Sequence, residues 1–236
     1  MRVLIGFERF GVVREAFRQR GHDAWSCDLV PAADASPFHY CRNVFKVIDR
    51  NWDLGIFHPD CTYLTVSAAW AFADGPYHQR VRPETLVGAA RRAAREEALQ
   101  QVGMLLECNI ARIAVENPAT SFISARYGKA DQTIQPNQFG EDASKATGLW
   151  LRNLRKLVPT RLIAPRLVNG KPRWANQTDR QWAKPLVAIA RSRNIARCDL
   201  SGYCRCDGRT MGGFLNGVFV NVFLTGIGIA RSVKSC

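Results

Sequence analysis

The chain has 236 residues, of which 47% are hydrophobic and 22% charged. That length fits one large α/β domain, or a domain with a small appendage, and the apolar content excludes a chain too polar to build a core. The net charge of +13 points to a polyanionic partner such as nucleic acid.

The charge is unevenly spread. Residues 180–236 hold nine Lys/Arg against two Asp/Glu, whereas residues 1–179 hold 24 against 18, an ordinary density. The tail is a different kind of sequence. Eight cysteines are scattered without paired spacing. Met1-Arg2 runs directly into an apolar stretch with no leader pattern, so a reduced, cytoplasmic compartment is expected. Cys198, Cys204 and Cys206 lie close together, but C-x5-C-x-C matches no common zinc pattern, and no metal is expected.

Residues 2–7 read as a first buried strand. A tight loop, Glu8-Arg9-Phe10-Gly11, leads into a helical pattern from Val12 to Gln19, with Gly21 placed to end it. His22 to Leu29 reads as a second strand with Asp28 at its tip. An acid at that tip can accept both hydroxyls of a ribose. The dinucleotide fingerprint G-x-G-x-x-G is absent, which leaves an adenosyl ligand bound without pyrophosphate, or a plain α/β layer.

Residues 31–42 are loop-like, and Val44 to Arg50 forms a short helix. The strand Trp52 to Phe57 then runs into His58-Pro59-Asp60-Cys61. In an open α/β sheet, ligands bind outside the carboxyl ends of the strands. A thiol there is placed for chemistry, whereas a packing cysteine lies more often inside the strand. Thr62 to Tyr77 is rich in aromatics and reads either as a lid that stacks on a base or as a buried helix edge. Pro83 to Cys108 is the clearest helix, with Leu99, Val102, Leu105 and Leu106 on an apolar face. Arg91, Arg92 and Arg95 are expected on a solvated face.

Arg112 to Val115 is another buried strand, ending in Glu116-Asn117-Pro118. Cys61 and Glu116 thus come from two strand ends that can converge on one pocket. A thiol beside a carboxylic acid suits attack on an electron-poor heterocycle: the thiol adds to a ring carbon while the acid binds or protonates a ring nitrogen. Residues 119–140 are read as loop with a short edge strand at Gln132–Gly140. Lys145 to Leu157 is expected to be helical, and 161–174 irregular.

The stretches FERFGVVREAFRQRGHDAWSCDL, WDLGIFHPDCTYL, ARIAVENP, DQTIQPNQFG and KATGLWLRNLRKLVPT through PRWANQT resemble the small, phage-associated relatives of the cytosine-5 DNA methyltransferases. These stretches cover most of residues 1–178. Glu116-Asn117-Pro118 corresponds to the family's Glu-Asn-Val, and Pro59-Asp60-Cys61 to its Pro-Cys. The resemblance implies a Rossmann-like methyltransferase sheet with helices on both faces and S-adenosyl-L-methionine as cofactor. It implies that Cys61 attacks C6 of a cytosine flipped out of duplex DNA, that Glu116 binds N3 and the exocyclic amine side, and that Asn117 holds the loops together. It places Phe7, Glu8, Phe10, Gly11, Asp28, Asn43, His58 and Pro59 around the cofactor, with Asp28 on the ribose. Two positions depart from the family. Asp60 stands where relatives read a second proline, and a carboxylate there raises the thiol's pKa. Arg42-Asn43 stands where relatives often carry Gly-Asp.

The resemblance stops after Thr178. With a suitable choice of codons, Arg180 to Met211 read one nucleotide later yields a polar Ser-Pro loop and a short closing helix. The expected organisation is therefore a methyltransferase-like domain over 1–178 and an aberrant, irregular tail over 179–236, readable as a frameshift product that the coding DNA tests. A membrane anchor at 211–230 is the competing reading and is not favoured. The oligomeric state is left open.

Overall fold

The computed structural model describes residues 1–78 and 80–178; the tail, with its cysteine cluster and apolar run, lies outside the described residues. Seven apolar segments become one sheet: β1 (Arg2–Gly6), β2 (Asp23–Asp28), β3 (His39–Cys41), β4 (Leu54–Phe57), β5 (Ile113–Pro118), β6 (Gln132–Ile134) and β7 (Thr147–Arg152). Their spatial order is β3-β2-β1-β4-β5-β7-β6. The pairs from β3 through β5 are parallel, and β7 runs antiparallel to both β5 and β6. The helices are α1 (Val12–Arg18), α2 (Gly88–Glu107), α3 (Ile123–Tyr127) and α4 (Ala175–Thr178).

Parallel strands are buried on both faces and must be covered by helices. On one face, Val3, Ile5, Leu54 and Ile56 pack with Val13, Ala16 and Phe17 of α1. On the other, Leu4, Phe57, Ile113 and Val115 pack with Leu99, Val102 and Leu105 of α2. Each fully buried side chain of this size contributes roughly 1.5–3 kcal/mol. Gly6 and Gly55 are small for a reason: a Cβ on either would meet the Phe57 ring, at 2.6 and 2.7 Å. The result is the expected Rossmann-like sheet with helices on both faces. Its winding reverses between β1 and β4, the switch point outside which such sheets bind ligands.

Four local expectations are corrected. Lys145 to Leu157 is not a helix but contains β7. That strand lies between two others and buries four successive residues, Thr147 to Trp150. A short apolar run buried on both faces cannot be told from a helix by periodicity. Residues 31–42 include β3, which adds the edge strand beside β2. Residues 119–140 include α3. The stretch 161–174 holds a two-stranded hairpin, β8 (Arg166–Val168) and β9 (Lys171–Arg173). Its turn is Asn169-Gly170, both at positive φ (52° and 72°), the signature of a tight hairpin.

Among the described residues no helix is long and apolar enough to cross a membrane, and no group of three metal-ligating side chains lies together.

Candidate active site

Strand register sets the level of the site. Gly6 pairs with Cys27 on one side and with Phe57 on the other, and Phe57 pairs with Val115. The next residue of each strand is therefore Asp28, Phe7, His58 and Glu116 in spatial order. These four stand in one row at the carboxyl edge, and all four were singled out from sequence.

At one end of the row, Phe7, Asp28 and Asn43 line a common cleft with Leu29, Val44 and Phe45. Asp28 accepts a hydrogen bond from the Val30 amide at 3.2 Å, and burial pushes its carboxyl above the usual range. Asn43 turns its side-chain oxygen to the Phe45 amide at 3.0 Å and so caps the single 3-10 turn Val44–Lys46. An acid beside apolar and aromatic walls can accept hydrogen bonds from the polar part of a ligand whose apolar part lies against those walls.

Glu8 points inward instead. It is 3% exposed and accepts from the amides of Val13 (2.6 Å) and Arg14 (3.2 Å), so it closes the amino end of α1. Burial raises its pKa, and the neighbouring His58 and the two amides offset part of that rise. Gly11 begins α1 at φ 70°, and a Cβ there would collide with the Arg14 guanidinium beneath it. Arg14 is itself wholly buried, bonded to Ser26 Oγ at 2.8 Å and paired with Asp34. Phe10 and Gly11 line a second, open cleft with Val12, Glu15, Gln19 and Asp34. Phe7, Asp28 and Asn43 thus come together, while Phe10 and Gly11 flank another hollow.

At the other end of the row, His58 Nδ1 lies 3.4 Å from Glu116 Oε2. Glu116 is 7% exposed, and its Oε1 has no hydrogen-bond partner among the described residues. Such an orphaned buried carboxyl oxygen costs on the order of 1–3 kcal/mol unless something supplies the missing bond. Asn117 donates from Nδ2 to the Pro59 carbonyl at 3.0 Å, tying the β5 end to the loop after β4. That loop carries Cys61, a half-buried free thiol.

The Cys61 loop is held on further sides. Asp60 Oδ1 accepts from the Thr62 amide (2.8 Å) and the Thr62 hydroxyl (2.6 Å), a side-chain-closed turn. The Cys61 carbonyl accepts from the amides of Leu64 and Thr65. Residues 64–66 pair with 120–122, through Phe122 N to Leu64 O (2.8 Å) and Val66 N to Thr120 O. Electrostatics work against ionisation. Burial raises the Cys61 pKa above its ordinary 9.0, Asp60 and Glu116 raise it further, and only Lys145 draws it down among the nearby side-chain charges.

Sequence reasoning missed two residues here. Lys145 reaches the site because the reversed strand β7 begins at the edge where the parallel strands end, and no local pattern signals that. The second is Arg91. The expected solvated arginine face is overturned: Arg91 is 5% exposed, and all three arginines turn towards residues 62–74. Helical spacing carried the signal. The inward stripe Leu105, Val102, Leu99 continues backwards through Arg95 to Arg91. The aromatic stretch after Cys61 splits in two. Phe72 turns inward against Phe122, while Trp70, Tyr77 and His78 cluster outside.

No family profile and no curated protein sequence matches the chain. Among solved structures, it is similar to an Escherichia coli prophage protein provisionally designated a DNA modification methyltransferase, at 12% identity and a TM-score of 0.38. The match covers 64% of this chain and 46% of that one, so the chain spans less than half of its neighbour's length. At that distance the likeness has no bearing on the chemistry, which rests on the site itself.

Proposed function

We propose that the chain is an S-adenosyl-L-methionine-dependent DNA methyltransferase that acts on cytosine C5 through Cys61. The observation that carries this reading is the pairing of two adjacent strand ends. One presents a thiol, the other presents a buried carboxyl with a free oxygen, and Asn117 locks the two together. Phe7, Asp28 and Asn43 would hold S-adenosyl-L-methionine, which would supply its methyl group to C5 and leave as the neutral thioether. Cys61, once deprotonated, bonds through Sγ to C6 of the ring. Glu116 holds N3 and the exocyclic amine, meeting the base with its unpaired oxygen. Loss of the C5 proton and release of Sγ from C6 return the thiolate. The base must leave the duplex stack to reach this loop.

A second reading is a chain that binds the cofactor or nucleic acid without transferring a methyl group. The raised thiol of Cys61 favours it, because the thiolate is the nucleophile. Methylation of an exocyclic amino group is the third reading, and it needs no thiol. Incubating the full chain with labelled S-adenosyl-L-methionine and DNA, then identifying the modified base, separates the three. The first reading expects labelled 5-methylcytosine that is lost in Cys61→Ser. Label that survives the substitution sinks the thiol mechanism, and cofactor binding without label on any base supports the second reading.

A further inference from the structure

We infer that Arg91 is a positioning residue for the nucleophile, acting through the backbone of the loop that carries Cys61; the inference rests on the reading of Cys61 as the reactive thiol. Arg91 stands in the first turn of α2 and is buried against the segment that follows Cys61. Its Nη2 donates to the Thr62 carbonyl at 2.9 Å, one residue beyond Cys61. Its Nη1 donates to the Leu86 carbonyl at 3.3 Å, just before the helix. The guanidinium carbon lies 5.2 Å from the Tyr63 ring centre and 4.9 Å from that of Phe72. One planar group thus ties the residue just after the thiol to the chain just before α2.

Geometry explains why the group must be an arginine. Two carbonyls in different directions and two ring faces require a flat fork with several donors, which a lysine ammonium does not offer. The neighbouring arginines repeat the device further out. Arg92 Nη1 donates to the Phe72 carbonyl at 2.6 Å, and Arg95 lies between the rings of Phe72 and Phe122, 4.7 Å from each. Asn117 grips the loop before the thiol, at Pro59, and Arg91 grips it after, at Thr62. The thiol sits between two independent anchors, one on β5 and one on α2.

The test uses the full chain with Arg91→Met and Arg91→Lys. Alkylation of Cys61 by iodoacetamide is followed peptide by peptide in a mass spectrometer, with Cys27 as the buried internal reference. Loosening the loop makes Cys61 react roughly threefold faster or more in Arg91→Met, with Cys27 unchanged, and Arg91→Lys falls between the two. In methyl transfer, kcat drops roughly ten- to a hundredfold while the KM for the cofactor holds, because only the thiol is displaced. Unchanged Cys61 alkylation in a folded Arg91→Met protein overturns the inference. If Arg91→Met does not fold, Arg91→Lys decides: wild-type alkylation and kcat in that variant overturn it equally. Alkylation reads the loop whether or not the wild type methylates DNA, so a failure of the functional reading is seen separately from a failure of this one.

Discussion

Cys27 and Cys61 have opposite prospects because of where their strands stop. Cys27 lies inside β2, bonded to the Arg42 carbonyl, and burial beside Asp28 pushes its thiol up to about 12. It is inert at any ordinary pH. Cys61 lies four residues past β4 and is half-buried, so a reagent can reach it. Its pKa is also raised, with burial first and Asp60 second. A raised thiol ionises late, so the reactivity of Cys61 climbs with pH and keeps climbing above 9. Asp60→Asn removes one of the raising charges and keeps an oxygen for the Thr62 turn. Alkylation of Cys61 at pH 8 then runs several-fold faster, and the pH profile moves to lower values. An unmoved profile would show that Asp60 serves the turn alone. At this scale the sequence was well legible. A cysteine after a proline at a strand end, and an acid at the tip of β2, were recognisable because each occupies a special place in an alternating pattern. Glu8 was not, because its role depends on a turn that folds it back under the helix that follows.

The strand ends at β4 and β5 work as a pair only while something ties them. Asn117 is that tie, 1% exposed and bonded to the Pro59 carbonyl across 58 residues of chain. Asn117→Ala leaves that buried carbonyl without its partner, and about 1–3 kcal/mol of unfolding free energy goes with it. Urea denaturation measures the loss, and Cys61 alkylation in the same variant reports whether the loop has come free. The elements themselves were unequally legible. The strands β1, β2, β4 and β5 stood out as apolar runs, and α2 as a long periodic stretch. β7 did not, since its six residues run through the middle of the antiparallel part, where both faces are covered and periodicity carries nothing. The hairpin at 166–173 was marked by its Asn-Gly turn, a signal stronger than the basic composition around it.

Across the whole molecule, several acids are buried at the carboxyl edge, and this has a consequence for stability. Burial raises Glu8 from its ordinary 4.5 and Asp28 from 3.8. For an acid raised on folding, the folded chain holds the proton to higher pH than the unfolded chain does. Stability is then greatest below the unfolded pKa and falls as pH rises through the folded one. The chain should therefore lose stability on going from pH 4.5 towards neutrality, and Glu8→Gln should flatten that decline. Urea midpoints of the two proteins across this range make the comparison, and parallel curves would remove Glu8 as a source. Any ligand that binds only the folded chain would act in the other direction, adding roughly 2.7 kcal/mol at a hundred times its Kd. The fold class was legible from the succession of elements alone. The wall that Lys145 and Arg91 add around the thiol was not, because it joins segments that only the tertiary structure brings together.

The row Asp28, Phe7, His58, Glu116 also works as a measuring rod. Neighbouring strands stand about 4.8 Å apart, so three steps separate the acid at one end from the acid at the other by about 14 Å. That spacing belongs to backbone hydrogen bonds, and no side-chain substitution alters it. Changes of side chain can retune either end of the site, but the gap between the ends changes only if a strand is lost, gained or slipped in register. A one-residue slip of β4 would turn His58 to the opposite face and carry the Cys61 loop with it.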